Sequence, residues 1–62
     1  MFLVGNHVQV TPKSREDKEF WAFFDGYRGV VRGMNNGFVE VVCQHPEGPK
    51  TLFIQPENLT AI

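Results

Sequence analysis

His7, Cys43 and His45 are the residues whose types could serve a nucleophile–base pair or a metal ion, because a thiol and two imidazoles supply both a nucleophile and nitrogen or sulfur ligands. No third group lies at a recognisable spacing to orient them. Cys43 reads more simply as a small core hydrophobe, and His45, beside Pro46, as a turn residue. The carboxylates Glu16, Asp17, Glu19, Asp25, Glu40, Glu47 and Glu57 are scattered, with no cleft evident to hold two of them as an acid–base pair. The residues therefore point away from an enzyme, and imply no cofactor, no metal and no small-molecule substrate.

Residues suited to binding are more concentrated. Phe20, Trp21, Phe23 and Phe24 crowd one short segment, and rings that cannot all reach a single small core anchor interfaces when they stay exposed. Alternatively the segment folds back, and its rings cover one end of the core or the outer face of a neighbouring sheet. Lys13, Arg15, Lys18, Arg28 and Arg32, with Tyr27 or Trp21 to stack on a base, are the ingredients of a single-stranded nucleic-acid site. Against that, Glu16, Asp17 and Glu19 are interleaved with the same cations and cancel much of their field, as on a solvated, salt-bridged face.

The elements that position these groups must come from one domain, residues 1–62, because a chain of this size buries only ~60% of its unfolded surface and has no material for a second core. Of its residues 42% are apolar and 21% charged, which suits one small core and a solvated surface. A formal net charge of −1 supplies no bulk positive field to draw the chain onto nucleic acid or anionic lipid. The single cysteine cannot close an internal disulfide, so oligomerisation or docking on a partner is a natural source of added stability. Met1-Phe2-Leu3-Val4 meets Gly5-Asn6-His7 at once, too short an apolar run for a signal segment or a membrane span, and a cytoplasmic setting is expected.

Period-2 alternation marks His7–Thr11 as a half-buried strand that Pro12 closes. Residues 14–24 are not strand-like: Ser14 followed by Asp17 resembles a capping box, and the segment is either a helix of one to two turns or an ordered irregular loop. Tyr27–Met34 and Phe38–Gln44 flank Asn35-Asn36-Gly37, a strong hairpin signal. Charge selects its register. A two-residue Asn36-Gly37 turn would set Arg32 opposite Val41 and Gly33 opposite Glu40, whereas a three-residue loop with Gly37 as a bulge pairs Arg32 with Glu40, Val31 with Val41 and Val30 with Val42. The three-residue loop is the expectation, and it places Val30, Met34, Phe38 and Val42 around Arg32 and Glu40 on an unusually apolar outer face. His45–Pro49 is a turn by composition, Lys50–Ile54 a strand with Leu52 and Ile54 on one side, and Leu59–Ile62 a last strand after a tight turn at Pro56-Glu57-Asn58.

Five short strands, a long first connection, a tight central hairpin and a one-turn interruption before the last strand together resemble the SH3-like barrel plan. Within it, Gly5-Asn6-His7-Val8-Gln9-Val10 followed by Gly26-Tyr27-Arg28-Gly29-Val30-Val31 is similar to the KOW-type pattern, in which the glycine matching Gly29 shapes a bend at the start of strand two. Phe53-Ile54-Gln55-Pro56-Glu57-Asn58-Leu59 resembles the segment that precedes the last strand of signalling SH3 domains. The tryptophan that those domains place at the start of strand three is missing, since Trp21 lies in the first connection. The resemblance implies an all-β, five-stranded barrel. The expected function is a small binding module or accessory subunit acting on a protein partner, or by self-association, through Trp21, Phe23, Val30, Arg32, Met34, Phe38 and Val42. The alternative is a KOW-type RNA or single-stranded nucleic-acid module using Lys13, Tyr27, Arg28 and Arg32.

Overall fold

In the computed structural model, which describes residues 2–62, alternating burial builds the core. Strands β1 (His7–Val10), β2 (Arg28–Asn35), β3 (Phe38–Cys43), β4 (Lys50–Ile54) and β5 (Leu59–Ala61) form one antiparallel sheet in the order β4-β3-β2-β1-β5. The two outermost strands, β4 and β5, are not paired with one another. Every strand nevertheless contributes to a single buried cluster: Val8 and Val10, Val31, Val39, Val41 and Cys43, Leu52 and Ile54, and Leu59. One face of a single sheet can enclose a common core only if the sheet curls, which its strand twist permits. Val31, Val39 and Val41 thus share the interior with the strand-one valines, as their alternation requires.

The hairpin between β2 and β3 corrects the expected register. Asn36 (φ 53°) and Gly37 (φ 81°) both adopt left-handed backbone, the signature of a two-residue type I′ turn whose twist matches that of the flanking strands. That turn sets Asn35 opposite Phe38, Met34 opposite Val39 and Gly33 opposite Glu40, whereas further along Val31 pairs with Val41 and Val30 with Val42. Turn and core therefore demand registers one residue apart, and a bulge between Val31 and Gly33 reconciles them by leaving Arg32 unpaired. The expected Arg32–Glu40 pairing does not form. Met34 moves opposite Val39, away from the outward set of Val30 and Val42, and its side chain remains half-exposed.

The first connection contains one short helix, α1 (Arg15–Phe20). The Ser14 hydroxyl accepts from the Asp17 backbone N–H at 3.0 Å, and Glu16 and Asp17 occupy the first turn, where the helix dipole favours carboxylates. Beyond α1 the chain turns back, with Gly26 N–H donating to the Val10 carbonyl and Val10 N–H to that of Tyr27. This return buries Trp21 in the core, edge-on to the rings of Phe20 (4.9 Å) and Phe24 (6.5 Å).

Asn58, in the 3-10 turn Pro56–Asn58, is the one buried polar side chain among the described residues. Its Oδ1 accepts from the Lys13 N–H (3.1 Å), its Nδ2 donates to Gln55 Oε1 (3.2 Å), and its carbonyl accepts from the Thr11 N–H (2.8 Å). The residue ties the end of β1 to the turn before β5. Asn58→Ala removes both side-chain bonds and leaves a small void, so we expect a loss of about 1–3 kcal/mol. Thermal melts followed by circular dichroism should show it as a midpoint lowered by roughly 4–8 °C per kcal/mol for a domain of this size.

Candidate aromatic groove

Strand alternation decides which rings remain outside. Leu52 and Ile54 point inward, so Phe53 points outward across from Glu40, and Phe38, two residues before Glu40 on β3, shares that side. Helix α1 then brings Phe20, Glu16 and Asp17 alongside. The outcome is a groove of about 380 Å³ lined by Glu16, Asp17, Phe20, Trp21, Phe38, Phe53 and Gln55. Phe20 is 75% exposed, Phe53 51% and Phe38 39%, values unusual for rings this large on a water-facing surface. Two carboxylates and no cation line the groove, so its field favours a positively charged ligand.

A second concavity, of about 500 Å³, lies over the middle of the sheet. His7, Arg28, Gly29, Val30, Val42, Gln44 and Ile62 line it, and here the side-chain charge is reversed, with a guanidinium and no acidic side chain. The outer face expected to be continuous is therefore two sites of opposite character.

Several expected binding residues fall elsewhere. Trp21 is not an exposed anchor: it is 8% exposed and belongs to the core, although it also lines the groove. Phe38 lines the groove, and Val30 and Val42 line the second concavity. Phe23 is 88% exposed, and Phe23, Arg32 and Met34 line neither site. Phe53, Glu16, Asp17 and Gln55 were not among the expected binding residues. The inward pairing of Leu52 and Ile54 already implied that Phe53 faces out, but its proximity to α1 depends on the return of the first connection.

The four residues expected to meet nucleic acid do not gather in one concavity, since only Arg28 lines one. Tyr27 is half-buried, stacked on His45 (6.0 Å, 29°) and edge-on to Phe24 (5.5 Å), so its own chain already occupies the ring. Lys13 and Arg32 are exposed. The interleaved charges of 13–19 make no ion pair with one another; among the described residues the ion pair present joins Lys50 and Glu47 at 3.9 Å.

His7, Cys43 and His45 occupy three different settings. His7 is exposed at the second concavity, Cys43 is buried, and His45 Nδ1 accepts from the Glu47 N–H at 3.1 Å. Among the described residues no three His, Cys, Asp or Glu side chains converge as a metal site would need, and no helix is long and apolar enough to cross a membrane. Burial pushes the Cys43 thiol above its ordinary range. A protonation equilibrium displaced upward in the folded state favours folding below the unfolded-state thiol value and is lost as pH rises through the folded one. Stability should accordingly fall on the alkaline side, and iodoacetamide should label native Cys43 far more slowly than the urea-unfolded chain. Equal labelling rates would mean that the thiol is not enclosed.

No family model matches the chain, and no curated protein matches it.

Proposed function

We propose that this chain is a non-catalytic protein-interaction module, an SH3-like barrel whose aromatic groove receives a basic, apolar segment of a partner protein. The order β4-β3-β2-β1-β5, with a 3-10 turn before β5, supports the barrel reading. One observation carries the functional part: exposed Phe20, Phe38 and Phe53 surround one groove whose only charges are the carboxylates of Glu16 and Asp17. A partner that inserts an apolar side chain between the rings removes them from water. A neighbouring lysine or arginine then meets the acidic rim, which gives orientation and discrimination more than affinity. The KOW-type nucleic-acid reading is supported less well, because Tyr27 is occupied and the cations are dispersed.

The test is titration with a peptide of alternating Leu and Lys, and with its Leu–Glu counterpart, followed by amide chemical shifts. Shifts centred on residues 16–21, 38 and 53 are expected, with the basic peptide binding about three- to tenfold more tightly, the scale of two exposed charge contacts. Phe53→Ser, on the surface, should weaken binding by about tenfold or more. Indifference to peptide charge, or shifts centred elsewhere, would refute the groove as the binding site. Steeply salt-dependent binding of single-stranded RNA that Arg28→Glu abolishes would transfer the function to the nucleic-acid reading.

A further inference from the structure

Phe23 has no role in the core or the groove, yet it is the most exposed of the large apolar side chains among the described residues, at 88%. It projects from the turn after α1 with exposed Glu19 and Asp25 on either side in sequence. The chain thus presents an aromatic knob in an acidic setting. The second concavity is its complement: Val30, Val42 and Ile62 give it an apolar lining, Arg28 and His7 border it, and among the described residues no acidic side chain lines it or lies within ion-pair distance of Arg28. At about 500 Å³ it has room for a phenyl ring.

We propose that the knob and the concavity are two halves of one self-association contact, in which Phe23 of one copy seats over Val30 and Val42 of another while Glu19 or Asp25 meets Arg28. Charge complementarity within a single chain identifies the occupant: the concavity needs an acid-flanked apolar group, and residues 19–25 are one. Because the two surfaces differ, the contact is heterologous, and a dimer keeps one free socket and one free knob, on different copies, unless a ring or a reciprocal pair closes. The contact is small, so association is weak, concentration-dependent and reduced by salt.

Sedimentation velocity from about 10 µM to about 1 mM at low salt, the range in which small interfaces populate, reads this directly. Wild-type chain should show a sedimentation coefficient that rises with concentration. Phe23→Ser removes the knob and Arg28→Glu reverses the socket; both positions are exposed, so both variants should remain folded. Each variant alone should associate about thirtyfold more weakly, the scale of a central aromatic anchor or a desolvated charge. Mixed in equal amounts they should recover a one-to-one complex, because one supplies an intact socket and the other an intact knob. A wild-type chain monomeric throughout, or a mixture no more associated than its components, would overturn the proposal. Neither position lines the aromatic groove, so peptide binding there is unaffected by either outcome.

Discussion

Gly29→Ala is expected to remove about a third or more of the chain's stability. A Cβ built on Gly29 lies 2.5 Å from the Val42 carbonyl oxygen, 2.7 Å from Val41 Cγ1 and 3.0 Å from Cys43 Sγ. The first of these is backbone in the β2–β3 ladder and cannot rotate aside, so relief requires prising the two strands apart at the end where Gly29 pairs with Cys43. Overpacking a rigid core typically costs 1–3 kcal/mol and occasionally more; contact with backbone argues for about 3 kcal/mol or above. A chain of this length has only about 3–9 kcal/mol of total stability. Gly33→Ala is the matched control. Its Cβ would meet nothing closer than Glu40 Oε1 at 3.8 Å, the far end of a flexible side chain. That variant should stay within about 0.5 kcal/mol of wild type in urea denaturation. If Gly29→Ala melts like the control, β2 and β3 do not approach as closely as described.

The second large effect is expected at Trp21. Truncation to alanine empties the position where the first connection closes over the core, beside the rings of Phe20 and Phe24. Tryptophan-to-alanine changes in cores cost about 3–5 kcal/mol, and this site, 8% exposed and at the edge of the core, belongs at the lower end. The loss should appear in urea midpoints. Residues 15–26 should also lose amide-exchange protection more than the sheet does, since α1 is too short to persist without its anchor. Trp21→Phe should recover much of the stability. Wild-type exchange protection in Trp21→Ala would show that α1 is held by something other than this ring.

These two positions divide on how much of their role is legible in the chain. Gly29 stands out from its place in a Gly-x-x-Gly-x-Val run at the start of a strand, where the resemblance implies a bend. What it could not supply was the reason, since the obstructing atoms belong to Val41, Val42 and Cys43 on the next strand. Trp21 is one of four crowded rings, with Phe20, Phe23 and Phe24, that the sequence leaves either exposed as anchors or folded back over the core. Which of adjacent rings turns inward depends on how the return from α1 to Tyr27 is pinned, and that is decided by Gly26 and Tyr27 bonding to Val10, far away in sequence.

The sequence by itself determined the strands, the position of the central turn and the inward set of valines, because period-2 alternation and the left-handed preference of Asn-Gly act over a few neighbouring residues. Only the tertiary structure decided the bulge at Arg32, the burial of Trp21 and the division of the outer face into an acidic aromatic groove and a basic concavity. Each of those arises where two local preferences conflict or where segments distant in sequence meet. The Asn36-Gly37 turn and the Val31–Val41 pair want registers one residue apart, and the conflict is resolved only when both strands are packed against a shared core.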